Sequence, residues 1–319
     1  MEESRKNKKS QPVFELAIDY FLSTIHYRYM PDFSFIRIPD LETWIISAPK
    51  RSHRPHIAGE AVCPFCPGNE KKEPDVFRIG GTDHDSKWLV RVINNKYPFA
   101  PIHEVIIHTP EHVDSVGKMS LEQLQLVIEA YVNRFNAHLK KGTVVIFGNA
   151  GKLAGESIHH SHAQLAVVPK EVQIAVPRLE EDILYRGEYF QVKDFTLICP
   201  PYSQWPDEVW IVPKNRGKIF GEITYEEIEN LAFVFKHLVR IFEIRHGGEF
   251  PYNFYIYPYR DWYIRILPRA KIQGGFEAAT GILVNTQDPR ETMEFIKKHF
   301  YDEDDGAIGK NKAEYRRGV

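Results

Sequence analysis

The segment GNAGKLAGESIHHSHAQLAVVP, residues 148–169, sets three histidines ahead of an apolar run that reads as a buried strand. Side chains alternate between the two faces of a strand. His160, His162 and Gln164 therefore share one face, and His159, Ser161 and Ala163 the other. A neutral imidazole is a good nucleophile toward phosphorus, and the phosphoramidate it forms is reactive enough to be discharged in a second step. Gln164 can donate a hydrogen bond to a phosphoryl oxygen without supplying a proton. Upstream, Gly148, Gly151 and Gly155 would let backbone amides approach a phosphate closely, and Ser157 adds a hydroxyl. Asn149, which ends VVIFGN beside this stretch, joins the substrate-binding set.

A second group of residues suggests a metal. CPFCPGNE supplies Cys63 and Cys66 at C-x-x-C spacing, half of a common zinc site, although redox pairs and plain turns use the same spacing. Cys199 is the only other cysteine, so a four-cysteine site within the chain is excluded. Two histidines would complete a tetrahedron most simply, and His112 and His160 are the candidates. For phosphate charge, APKRSHRP offers Arg51 and Arg54, whose guanidinium groups suit bidentate contacts. NNKYP offers Asn95 and Lys96 for a ribose or base.

The elements that must position these groups repeat. HEVIIHTP at 103–110 matches DEVWIVPK at 207–214, an offset of 104. Each precedes a helix that opens with a capping-box pair, Ser120 with Gln123 and Thr224 with Glu227, and each helix is expected to end at a glycine, Gly142 and Gly247. An asparagine follows in each half, Asn149 and Asn253, again 104 apart. The expected fold class is α+β, with two related sheet-plus-helix halves. Residues 1–33 read as an N-terminal extension, 34–185 as the first domain with the metal and histidine motifs, 186–305 as the second, and 306–319 as a charged tail.

The bulk numbers narrow the function. The chain has 319 residues, is 43% hydrophobic and 26% charged, and carries a formal net charge of −2. That balance suggests neither nucleic acid nor an acidic membrane as a partner. No apolar run reaches the roughly 18 residues of a membrane span, and no secretory leader is visible. Three cysteines do not make a disulfide scaffold. A reduced, cytoplasmic protein is expected.

Taken together, FGNAGKLAGESIHHSHAQ, APKRSHRP, CPFCPGNE, NNKYP, HEVIIHTPEH, DEVWIVPK and GGFEAATG resemble the galactose-1-phosphate uridylyltransferase family of the histidine-triad superfamily, over roughly residues 35–300. The resemblance implies two tandem histidine-triad-like halves, a homodimer, and ping-pong transfer of a nucleoside monophosphate between a nucleotide sugar and a hexose 1-phosphate. It implies His162 as nucleophile, Gln164 and Ser157 on the transferring phosphoryl group, and Arg51 and Arg54 on phosphates. Cys63, Cys66, His112 and His160 match the family's zinc ligands, and Lys271, Phe276 and Glu277 its sugar-binding region.

The chain departs from the pattern at three places. Glu156 stands where relatives have a small or thiol side chain, and a carboxylate there must point away from phosphate or pair. Ser161 replaces the proline of the usual H-P-H, a form more like the ADP-glucose phosphorylase branch, in which inorganic phosphate is the acceptor. The second half reads DWYIR, Asp261 to Arg265, where relatives often carry H-W-H-I-E, so a second metal site is not expected there. Two further readings stay open: hydrolysis of nucleotide conjugates, which Gln164 argues against, and a catalytically weakened nucleotide-binding protein.

Overall fold

The computed structural model describes residues 28–29, 32–38, 43–53, 63–70, 73–82, 87–179, 187–248, 250–269 and 271–302. Arg54, the tail from 306 and almost all of the N-terminal extension lie outside these. The protein is mixed α+β. A small sheet, β1 (Arg28–Tyr29), β2 (Ser34–Arg37) and β3 (Trp44–Ser47), stands apart from a ten-stranded one. In the large sheet the first five strands are β4 (Asp75–Ile79), β5 (Val90–Asn94), β6 (Ile102–Ile107), β7 (Thr143–Ala150) and β8 (His162–Val168). The other five are β9 (Glu188–Val192), β10 (Phe195–Cys199), β11 (Val209–Pro213), β12 (Tyr252–Ile256) and β13 (Ile264–Pro268). Their order across the sheet is β4-β5-β6-β8-β7-β12-β13-β11-β10-β9, with every pairing antiparallel.

That order reads the same from both ends once each strand is exchanged for its counterpart in the other half. The seam is the pair β7–β12, where Asn149 stands opposite Asn253 and Ala150 opposite Tyr252. A two-fold axis between antiparallel strands pairs a residue with its own equivalent. The 104-residue offset places Asn149 and Asn253 in that relation, and Asn253 Nδ2 donates to Asn149 Oδ1 at 2.8 Å.

Two long helices cover one face. In α1 (Leu121–His138), Leu124, Val127, Ile128, Tyr131 and Phe135 are buried. In α2 (Tyr225–Arg245), Ile228, Leu231, Phe235, Leu238 and Phe242 are buried. Both stripes keep a helical period and pack on the alternate strand residues Ile106, Ile146, Leu165, Val209, Ile211 and Ile264. Each large apolar side chain removed from water there contributes roughly 1.5–3 kcal/mol. The helix α4 (Pro289–His299) adds Met293 and Ile296 to the same core. Gly148 is a packing requirement: a Cβ there would stand 2.0 Å from the ring of Phe254.

The helix ends correct two expectations. Thr224 and Glu227 form the complete reciprocal box, whereas Ser120 accepts from the Gln123 amide but Gln123 does not return the bond. Its side chain instead donates to the Leu89 and His108 carbonyls, which ties α1 to the sheet. Gly247 has the expected left-handed φ of 85°, but α1 ends at His138, ahead of Gly142. Gly142 is needed for another reason, since a Cβ there would lie 2.5 Å from the Val168 carbonyl.

Candidate active site and metal centre

The candidate site lies on the face opposite the helices. In the β6–β8 register Ile107 pairs with His162 and Val105 with Gln164, so these four side chains share that face. Ahead of β8, the turn from Thr109 to Val113 is clasped to the histidine segment. His160 Nε2–H donates to the Thr109 carbonyl at 2.9 Å, and Ser161 N–H to the Val113 carbonyl at 2.6 Å. The clasp brings His112 beside His160, their rings 5.3 Å apart.

The C-x-x-C loop docks against the same place through Phe65, whose ring meets His162 edge-on at 5.2 Å. Cys63 Sγ lies 3.6 Å from His160 Nδ1, Cys66 Sγ 3.3 Å from His112 Nδ1, and Cys66 Sγ 3.7 Å from His160 Nδ1. All four ligand atoms fall within 4.8 Å of one another. Tetrahedral bonds of about 2.3 Å to sulfur and 2.0–2.1 Å to nitrogen imply sulfur–nitrogen edges of about 3.6 Å, so the group fits a single metal ion. The ligand chemistry agrees. Burial holds the His160 imidazole neutral, and its Nε2–H is committed to Thr109, which leaves Nδ1 as the donor atom. Burial, then neighbouring Cys63, pushes the Cys66 thiol up to about 11, so two thiolates side by side need a cation between them.

Next to this centre is a cavity of about 210 Å³ whose wall includes Phe65, Ile93, Asn95, Ser157, His162 and Gln164. His162 Nδ1–H donates to the His160 carbonyl at 2.8 Å. That bond fixes the tautomer and puts the ring's basic lone pair on Nε2. Lys96, Tyr97 and Glu73 complete the far side, with Lys96 and Glu73 paired at 3.7 Å.

Several predicted residues have other occupations. Asn95 accepts from Tyr97 N–H through Oδ1 and donates to Gln164 Oε1 at 3.2 Å, so it holds the site's glutamine. Arg51 donates to the Tyr97 carbonyl, its guanidinium 4.8 Å over the Phe99 ring. Asn149 is engaged with Asn253 at the seam. Lys271 and Glu277 pair with each other at 3.4 Å on or beside the short helix α3 (Gly275–Thr280), none of whose residues is buried. Phe276 is 55% exposed there, and none of the three is in the cavity wall.

The glycine-rich loop does not offer its amides as expected. Gly151 and Gly155 do take positive φ, 83° each. The N–H groups of Ala154, Gly155 and Glu156 are bonded to carbonyls of Gly151 and Lys152, and that of Gly151 goes to Glu156 Oε2 at 3.0 Å. Glu156 thus resolves the charge problem its position posed: its buried carboxylate turns back to cap the loop and pairs with His159 at 3.4 Å. His159 itself is largely exposed and also reaches Asp114 at 3.3 Å. Ser161, on the helix side, meets buried His108 at 2.8 Å, and His108 meets the Tyr131 hydroxyl at 2.7 Å. In the second half the face equivalent to the cavity is filled by aromatic stacking, Trp210 on Tyr263 at 4.4 Å and Tyr257 on Tyr263 at 4.9 Å, with Arg265 paired to Glu208 at 2.7 Å.

Sequence inspection missed Phe65, Glu73, Thr109 and His103. His103 had a readable signal, since it alternates with Val105 and Ile107 in HEVII and so faces the histidines; the others become visible only when the loops close.

The fold is that of galactose-1-phosphate uridylyltransferase-like proteins. The crystal structure of an ADP-glucose phosphorylase from Arabidopsis thaliana with bound ADP-glucose superimposes with a TM-score of 0.65 at 22% identity, over 86% of this chain and 98% of that one. The chain is a homologue of proteins named ADP-glucose phosphorylase and galactose-1-phosphate uridylyltransferase. It is 24% identical over 322 residues to the former from Arabidopsis thaliana, covering 82% of this chain and 91% of the relative. It is 23% identical over 256 residues to the latter from Thermotoga maritima, covering 67% and 77%. Residues 48–170 match the family model described as the domain of unknown function DUF4931, N-terminal domain.

Proposed function

We propose that the protein is a nucleotidyltransferase that moves a nucleoside monophosphate from a nucleotide sugar to a hexose 1-phosphate through a covalent intermediate on His162. The observation that carries this reading is the 2.8 Å bond from His162 Nδ1–H to the His160 carbonyl, in a cavity wall shared with Ser157 and Gln164. Nε2 attacks the α-phosphorus; the P–N bond forms as the P–O bond to the sugar phosphate breaks, and the sugar 1-phosphate leaves. The ring becomes a phosphorylated imidazolium whose Nδ1–H keeps its bond to the carbonyl, so no proton has to move. Gln164 and Ser157 donate to the phosphoryl oxygens as charge builds on them. The acceptor phosphate then attacks the same phosphorus, and the P–N bond breaks.

Cys63, Cys66, His112 and His160 would hold zinc, which when bound neutralises the two thiolates and fixes the loops that carry His160. His160 in turn presents the carbonyl that orients His162. The ligating thiols suit a reducing, cytoplasmic setting. The palindromic strand order supports two tandem units, 34–185 and 186–305. Exposed Ile272, Phe276, Ile282 and Val284, beside Lys271 and Glu277, support a homodimer formed through that strip. A second reading, phosphorolysis with inorganic phosphate as acceptor, is favoured by the longer match to the ADP-glucose phosphorylase, 82% of the chain against 67%.

Intact-mass spectrometry after mixing the protein with UDP-glucose or ADP-glucose, without acceptor, tests the reading. A nucleoside-monophosphate adduct on the wild type and none on His162→Ala is expected, and the preferred donor identifies the base. Discharge by hexose 1-phosphate or by phosphate then separates the two readings. Folded, metal-loaded protein that forms no adduct with either donor refutes both.

A further inference from the structure

A glutamine can present either end of its amide, and only the NH2 end suits an anionic phosphoryl group. Gln164 is therefore useful only if something holds its oxygen away from the substrate. The structure supplies two converging donors. Asn95 Nδ2 donates to Gln164 Oε1 at 3.2 Å, its own orientation set by the Tyr97 N–H on Asn95 Oδ1 at 2.9 Å. His103 Nε2 lies 3.0 Å from the same oxygen. The tautomer of His103 is decided on its other side, where Nδ1 accepts from the Phe99 N–H at 3.3 Å; Nε2 therefore carries the hydrogen.

His103 is buried and reaches Gln164 diagonally across the β6–β8 ladder, on the same face as His162. Its ring packs on Phe99 at 4.1 Å, and Phe99 in turn lies under the Arg51 guanidinium. Asn95 Nδ2 and His103 Nε2 stand 3.2 Å apart as they converge on Gln164 Oε1, and with the oxygen held by two donors the NH2 is the end of the amide left for a substrate in the cavity that Gln164 lines.

We propose that His103, with Asn95, is a positioning residue that fixes the amide of Gln164 with its NH2 toward the transferring phosphoryl group. This deepens the nucleotidyl-transfer reading and rests on it. The arrangement also accounts for a buried histidine close to the reaction that takes no part in proton transfer: its Nε2–H is committed to an amide oxygen.

A double-mutant cycle on the full-length, metal-loaded protein tests it, reading the rate of His162 adduct formation and the affinity for the donor separately. His103→Ala should slow adduct formation by about 10- to 100-fold, less than the roughly 100- to 1,000-fold cost of removing a charge-stabilising donor outright, with a smaller change in donor affinity. His103→Gln, whose amide can donate from nearly the same place, should recover most of the rate. In the His103→Ala/Gln164→Ala double variant the rate should match Gln164→Ala alone. Multiplicative effects, or a wild-type rate for His103→Ala, would overturn the proposal.

NMR of 15N-histidine-labelled protein keeps the claim testable whatever the donor. His103 should be the Nε2–H tautomer, and its Nε2 resonance should move in Gln164→Leu; an Nδ1–H tautomer overturns the proposal. A wild type that forms no adduct while His103 shows the Nε2–H tautomer would instead defeat the transfer reading.

Discussion

Replacing Ser161 by proline would restore the H-P-H of the proteins this chain resembles, and a consensus argument would predict a more stable protein. The structure predicts the reverse. Ser161 N–H donates to the Val113 carbonyl at 2.6 Å, and proline removes it, a loss of about 0.5–1.5 kcal/mol. Ser161 Oγ lies 2.8 Å from Nδ1 of His108, which burial holds neutral well below its ordinary titration range. Leaving that buried nitrogen without a partner costs about 1–3 kcal/mol. The two losses come to about 1.5–4.5 kcal/mol, or a fall in Tm of about 3–9 °C at roughly 2 °C per kcal/mol for a chain of this size. Ser161→Ala keeps the N–H and should lose only the second part. Thermal and urea unfolding of the three proteins side by side measure both steps. Because the Ser161 side chain points to the helix side, the yield of adduct per folded molecule should not change. A proline variant as stable as the wild type, or an alanine variant without loss, would refute this account of the serine.

Two further outcomes are expected. Stripping metal with a chelator, or Cys66→Ser, should abolish stoichiometric metal in elemental analysis and lower Tm, and zinc should restore the stripped wild type but not the variant; metal-free protein that melts at the same temperature would deny the four ligands a structural role. Glu156 is a carboxyl whose folded pKa is raised, chiefly by burial, so the folded state favours its protonated form and stability is lost as pH rises through the folded value. Glu156→Gln, which keeps an acceptor for the Gly151 N–H, should therefore raise Tm near neutral pH, with the gain vanishing below the ordinary glutamate range. A gain that persists in acid would point to a cause other than charge.

What the sequence made legible follows from how local each signal is. The alternation in HHSHAQ and the helical period of α1 and α2 depend on neighbours in the chain, and both faces were readable. The two cysteines and two histidines could be collected by ligand type, although their convergence required the 109–113 turn to be clasped to Ser161. Less legible are the groups that side-chain packing assigns to a particular partner, near or far in sequence. Gln123 reads as half of a capping box because the carbonyls that take its side chain, Leu89 and His108, lie just outside β5 and β6, far from it in sequence. Gly151 and Gly155 looked like a phosphate cradle because nothing local says that Glu156 will take the Gly151 amide. Arg51 and Asn95 suit a ligand by residue type, and the structure also gives each a protein partner. Lys271, Phe276 and Glu277 belong together by motif alone, and within one chain they stand outside the cavity wall.

The Asn149–Asn253 seam has a consequence for how such a protein can change. Joining the halves edge to edge turns what would be an exposed strand in each into an interior one, so neither half can be shed without laying bare a row of unpaired backbone groups. A fused pair of this kind is held together by structure even after one member stops contributing chemistry. That leaves the second half free to carry Asp261 and Tyr263 where relatives often have histidines, and to fill its face with stacked rings. In effect it serves as a permanent template against which the half with the candidate site folds, and melting should show one transition, not two.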